Sequence, residues 1–335
     1  MKYAAPKTHG ALKLVAVLLV GAVVSAPLTA CTVPVFRYAL EKWHPGSYHA
    51  IVFHRGALSK EKSAVLDTLT AAAKHANLEV RSVDLDKDLR PWPPEYYTVG
   101  DLPRMVLLSP SPGQRKRKDL TVRDVIWSSP LDKALTPALT DSPKRREISR
   151  LIRSGESAVW VLLDSGDAKK DAAAAALTKA AIAKLAAKEG KIAKRLAKLK
   201  LLKPPAKGPK GQKFPQLRLS FSMLRVSRAD PAEKVLVEML LSSEKGLRDA
   251  IGPILFPIVG RGRVIGALVD RGINETNITE GAEFLTGRCT CQVKNLSPGL
   301  DMLISTDWNK ATKPAATTRP SDKTKGRNNA KTNTK

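Results

Sequence analysis

The sequence predicts an α/β protein of two units in tandem, with a long Ala/Lys helix and a disordered basic tail. Three observations carry this prediction. Short apolar runs bounded by glycine or proline alternate with stretches of helical period. The order strand, helix, strand, then proline before another strand occurs twice. The 335 residues, 43% of them apolar, suffice for two packed cores.

Tyr48–His54 (YHAIVFH), between Gly46 and Gly56, reads as a buried strand. Ser59 caps a helix through about Ala76, with Val65, Leu69, Ala72, Ala73 and Ala76 on one face. Leu78–Leu85 is the second strand, Pro91–Pro94 a loop, and Met105–Leu108 a third strand directly after Leu102-Pro103. Arg115–Lys118 is a charged loop. Leu131–Leu139 and Pro143–Arg153 read as short helices, the second with proline near its start. Ala158–Leu163 opens the second series. The Ala/Lys helix follows over 167–203, with Leu177, Ala181, Leu185, Ile192, Leu196 and Leu199 as its apolar stripe and Gly190 as its weak point. Pro204–Lys213 is a flexible break. Leu217–Val226 alternates as a strand and Pro231–Leu241 is helical. Ile254–Val259 and Arg263–Val269 form a hairpin through Gly260-Arg261-Gly262. Asn277–Glu280 resembles a capping box opening a helix to Leu285.

Before these elements stands a leader. Lys2, Lys7 and Lys13 precede an apolar run, Leu14–Val24, with no acidic residue before Glu41. Ser25-Ala26-Pro27 breaks that run, and Leu28-Thr29-Ala30-Cys31 closes it. A transmembrane span needs about 20 apolar residues, and this run is shorter. The segment resembles the lipoprotein signal family, whose box is an aliphatic residue, two small residues and Cys. The resemblance implies removal of 1–30, lipidation of Cys31, membrane attachment through that lipid, and a cell-envelope location facing periplasm or exterior. Thr32 in place of Asp permits, by the same resemblance, transport to an outer membrane. Plain secretion and an uncleaved anchor are the competing readings. The expected organisation is therefore 1–30 signal, 31–153 first unit with a helical extension, 154–308 second unit, and 309–335 basic tail. Thr32–Trp43, rich in Val, Phe, Tyr and Trp, is expected to pack on the body.

The net charge is +26, or +23 once Lys2, Lys7 and Lys13 leave. Residues 167–213 hold fourteen Lys/Arg against three Asp/Glu, and 309–335 hold eight against one. The basicity thus belongs to the Ala/Lys helix and the tail. That argues against a nucleic-acid groove, which places basic residues among stacking aromatics. It fits contact with an anionic surface or an envelope protein. The tail has almost no large apolar residue and cannot bury a core.

Residues 48–109 resemble the first half of a thioredoxin fold, and 157–287 resemble that fold more completely. The tandem arrangement is also similar to uncharacterised planctomycete-type envelope lipoproteins. The thioredoxin redox pair has no counterpart after either first strand, where the chain reads His54-Arg55-Gly56-Ala57 and Asp164-Ser165-Gly166-Asp167. Cys289-Thr290-Cys291 is the one redox-capable motif. A strained structural disulfide, redox exchange, a soft-metal site and free thiols compete for it. A thioredoxin-type thiol sits at the first helix N-terminus, where the dipole lowers its pKa, and these do not. Gly260-Arg261-Gly262 lies between strands and reads as a turn rather than a phosphate cradle. His54 reads as a satisfied structural histidine. Asp84, Asp86, Asp164 and Asp167 read as solvated loop carboxylates. No catalytic residue and no cofactor is assigned. The expected function is non-catalytic binding or scaffolding, and the alternative is thiol-redox or soft-metal handling through Cys289 and Cys291.

Overall fold

Strand β1, Tyr48–His54, pairs in parallel along its whole length with β2, Leu78–Asp84, from Tyr48↔Leu78 to His54↔Asp84. Both belong to a computed structural model that describes residues 33–98, 100–110, 125–187, 190–198, 218–287 and 299–308. The crossover between them is helix α2, Lys60–Ala73, whose N-cap Ser59 accepts from the Lys62 N–H. Val65, Leu69 and Ala73 bury its inner face. Strand β3, Arg104–Leu108, follows a cis Leu102–Pro103 peptide and runs antiparallel to β1. Strand β4, Val125–Pro130, runs antiparallel to β3. The sequence reading had no strand there. Only Ile126 of that edge strand is buried, so no alternation marks it.

Helices α3, Leu135–Thr140, and α4, Pro143–Arg153, lead to the second sheet. Here β5, Ala158–Asp164, pairs in parallel with β6, Phe221–Ser227, and antiparallel with β7, Ile254–Val259. Strand β8, Arg263–Val264, and β9, Leu268–Val269, both pair with β7. The sheet orders are β2-β1-β3-β4 and β6-β5-β7-β8, with the same strand senses in each. The fold is therefore α/β with two mixed sheets of matching order. The expected continuous strand Arg263–Val269 is interrupted. Pro257 of β7 has no N–H to donate to a ladder, and the opposing chain leaves the sheet after Ile265, whose N–H reaches the Pro257 carbonyl.

The Ala/Lys stretch is two helices, not one. Helix α5, Ala168–Ala186, ends where Ala187 turns extended (ψ 136°), and α6, Lys191–Lys198, begins after Gly190. The buried face of α5 is Asp171, Ala174, Ala175, Thr178, Ala181 and Ile182. Leu177, placed on the stripe by sequence, is 36% exposed. Small residues let α5 approach β5, β6 and helix α8, Glu275–Thr286, so the packed face is the alanine face. The first α8 residue stands three before the expected start, because Asn274 is the cap, accepting from the Asn277 N–H at 2.9 Å. Helix α7, Lys234–Leu241, buries Val235, Leu236, Met239 and Leu240.

Two peripheral segments tie the sheets together. Helix α1, Val35–Lys42, buries Val35, Phe36, Ala39 and Leu40 and packs on α8 and β7. The Val35 N–H donates to the Gly287 carbonyl at 3.1 Å, and Arg261 Nε donates to the Leu40 carbonyl at 2.9 Å. At the other end of the chain, residues 299–305 form a strap. Its Met302 N–H donates to the Gly262 carbonyl beside β8. Asn77, just before β2, donates from Nδ2 to the Met302 carbonyl and accepts the Ile304 N–H. One buried cluster runs through both sheets, including Ala50, Val52, Met105 and Leu107 of the first and Trp160, Leu162, Phe256 and Ile258 of the second. The opposite face of the first sheet, Ile51, Phe53, Val106 and Leu108, carries a separate cluster with Tyr96, Trp92 and Tyr97. Burial on both faces accounts for the unbroken apolar run of β1.

Candidate functional site

The loops at the carboxyl ends of β1 and β5 are where strand-end chemistry would sit in such sheets. Both are closed by the protein's own groups. After β1, the His54 ring bonds on both sides: Nδ1 is 2.8 Å from the Gly56 carbonyl and Nε2 is 2.8 Å from the Ser82 hydroxyl. The carbonyl can only accept, so Nδ1–H donates to it. Asp84 accepts the Gly56 and Asp86 N–H groups at 3.1 and 3.2 Å. Burial pushes its carboxyl up, but those two N–H bonds and Lys87 outweigh that and hold it below the ordinary value. Arg55 pairs with Asp86 at 2.7 Å.

The β5 loop repeats the device. Asp171, in the first turn of α5, is 3% exposed. It accepts the Ser165 N–H (2.8 Å), the Ser165 hydroxyl (2.7 Å) and the Gly166 N–H (3.1 Å). Burial pushes this carboxyl up; the Ser165 and Gly166 donors, with the Arg225 charge, bring it below the ordinary value. Asp164 receives Arg225 through Nε and Nη2, both at 3.0 Å. Asp167 caps α5 by accepting the Lys169 and Lys170 N–H groups. The carboxylates expected to be solvated are thus largely structural, because loop amides and arginines converge on them. The Gly56, Ser165 and Gly166 amides are occupied by carboxylates, and the Ser165 hydroxyl donates to Asp171.

A cavity with a ligand-like lining lies on the outer face of the first sheet. It measures about 530 Å³, between β1, β2 and the 90–93 loop. Ile51, Leu108 and Tyr96 make its apolar floor and wall, Glu79, Arg81 and Arg90 add charge, and His49 borders it. The Trp92 ring packs edge-on against Phe53, centroids 5.3 Å apart. The Arg90 and Arg81 guanidinium carbons lie 5.1 and 5.9 Å from the Trp92 ring centre. Asp88 holds Arg90 through Nε at 2.8 Å and accepts from Trp92 Nε1 at 3.4 Å. His49 Nδ1 and Glu79 are 3.3 Å apart across β1 and β2. Such a trough suits an apolar or aromatic group next to an anionic one. Sequence reading assigned Pro91–Pro94 only as a loop. The available signal was Arg90-Pro91-Trp92-Pro93, an aromatic ring fixed between prolines beside an arginine.

A second cavity of about 480 Å³ lies between the end of α2 and the strap, bordered by Lys74, His75, Asn77, Ser305 and Trp308. Gly260-Arg261-Gly262 is a turn, with φ of +59° at Gly260 and +92° at Gly262. Its arginine points inward to α1 rather than outward to a phosphate. Cys31, Cys289 and Cys291, the 115–118 charged loop, the 204–213 break and the 309–335 tail all lie outside the described residues. Among the described residues, no group of three or more His, Cys, Asp or Glu is placed to hold a metal ion, and no helix is long and apolar enough to cross a membrane. The chain matches no protein-family model and no curated relative.

Proposed function

We propose that this chain is a membrane-anchored envelope lipoprotein whose body, two degenerate thioredoxin-like units, acts as a non-catalytic binding or scaffolding module. The thioredoxin-like reading is supported by the matching sheet orders and by a proline, Pro103 or Pro253, just before each antiparallel third strand. The observation that carries the non-catalytic reading is the state of the two strand-end loops. Each lacks a cysteine where the fold family places its redox pair, and each has its amides bound to Asp84 or Asp171. Binding is assigned to the trough beside Trp92. The basic helix and tail give a second contact, with an anionic surface or envelope protein. The anchor reading rests on Leu28–Cys31 and the leader before it.

The test is fractionation of cells producing the native chain and Cys31→Ser. The native chain is expected in membranes with a lipid-modified N-terminal peptide, and the variant is expected in the soluble fraction. A Cys31→Ser chain that stays membrane-bound ends the lipid-anchor reading. Thiol titration of the released chain, with and without Cu(I), separates the binding module from the thiol alternative. Rapidly exchanging thiols or stoichiometric Cu(I) uptake at Cys289 and Cys291 favours the latter.

A further inference from the structure

We infer that the end of the body made by the first turn of α1 and the last turn of α8 rests on the lipid surface, with Phe284 in the headgroup layer. The inference rests on the lipid anchor at Cys31. From Cys31 to Val35 is four residues, a reach of at most about 14 Å when fully extended. Val35 is the first residue of α1 and is 1% exposed. Its N–H is fixed to the carbonyl of Gly287, the C-cap of α8. The exit point of the anchor is therefore pinned to one end of one helix, and the tether is too short to let another face turn to the bilayer.

What stands at that end suits an interface. Phe284, in the last turn of α8, is 44% exposed, while its neighbours Ala282 and Leu285 are buried. An apolar aromatic ring on a surface helix buries favourably at the boundary of headgroups and acyl chains. Helix α6 also contacts α8; its Ile192 and Leu196 are buried, and its Lys194 and Lys198 are exposed. A basic helix held along α8 favours anionic headgroups. The trough beside Trp92 lies on the outer face of the first sheet, away from the shared core into which α1 packs, so this orientation leaves it open to a partner.

Photo-cross-linking in native membranes tests this. The full chain carries Phe284→p-benzoylphenylalanine, or Glu283→p-benzoylphenylalanine as a second exposed position on the same turn. The comparison is Leu89→p-benzoylphenylalanine, at a 98% exposed leucine on the loop covering the other sheet's outer face. Several-fold more phospholipid mass is expected on tryptic peptide 272–288 than on the peptide holding position 89. Equal lipid labelling at the two positions, or protein adducts in place of lipid at both 283 and 284, overturns the inference in a chain whose Cys31 carries lipid by mass. A chain with no lipid on Cys31 fails earlier and takes the anchor reading with it.

Discussion

Replacing Arg145 with methionine removes the centre of the polar contact between the sheets. Arg145 is 1% exposed. Its Nη1 donates to the Leu139 carbonyl at 2.8 Å and the Leu303 carbonyl at 3.3 Å, its Nη2 to the Ala138 carbonyl at 2.8 Å, and its Nε to Ser142 Oγ at 3.0 Å. The Ser142 hydroxyl donates to Glu233, 1% exposed, at 2.6 Å, and Glu233 also accepts the Lys144 N–H at 2.8 Å. One guanidinium thus closes the end of α3, the cap of α4, the turn before α7 and the strap. Burial lowers its pKa to about 10, against the pull of Glu233, Asp141 and Tyr48, so it stays cationic at neutral pH. Methionine fills much of the volume but leaves carbonyls unpaired and a buried carboxylate without its cation. Removing one member of a buried charged set costs about 3–5 kcal/mol, a large part of a total stability of roughly 5–15 kcal/mol. The assay is urea denaturation of the full chain in detergent, followed by tryptophan fluorescence, with buried Trp160 as a reporter. Arg145→Met with Glu233→Gln should lose less than the two single changes added together. A loss under about 1 kcal/mol for Arg145→Met would refute the reasoning, since it would mean that the network carries no stability.

Two further outcomes follow from local geometry. Asp171 is held below its ordinary carboxylate pKa, so between the folded and unfolded values the native state binds fewer protons. Its stability is present above the unfolded value and is lost as pH falls through the folded one. Asp171→Asn should cost about 1–2 kcal/mol near neutral pH and flatten the acid limb of the urea midpoint against pH, and an unchanged acid limb would refute the assignment. Gly260 has a φ of +59°, and a Cβ there would sit 2.6 Å from Ala39 Cβ. Gly260→Ala should therefore loosen α1 from the β7–β8 turn at a cost of about 1–3 kcal/mol, read as earlier cleavage within 35–42 in limited proteolysis.

The strands and their order were legible where one residue type dominated. Tyr48–His54 and Ala158–Asp164 are buried on both faces, so apolar content alone marks them. The α2 cap at Ser59 was legible because a capping hydroxyl acts locally. The Ala/Lys stripe holds at Ala181, Ile192 and Leu196, which are buried, and fails at Leu177 for a physical reason: close packing on β5 and β6 selects alanines and leaves that leucine outward. The α8 start was misplaced because Asn274 and Asn277 are both good caps, and only the chain path from β9 selects the first. Strand β4 and the interruption at Pro257 depend on partners far away in sequence. So does the trough, since Arg81 meets Trp92 only once β2 and the 85–93 loop lie side by side.

Chain order and spatial order differ at both ends. Helix α1 precedes the first sheet in sequence but is bonded to Gly287 and to the Arg261 turn of the second. The strap follows the second sheet but returns to Asn77, Gly46 and Ala76 of the first. Neither crossing segment forms a complete structure alone, because each satisfies its backbone donors on the other element. A chain crossed in this way resists separation of its sheets more than two domains on a simple linker would. A tether at Cys31 would therefore load α1 and α8 directly, and would reach the first sheet through residues 43–47 that join α1 to β1 as well as through the shared core. The trough beside Trp92 sits at the end of that path, on the face that neither crossing segment covers.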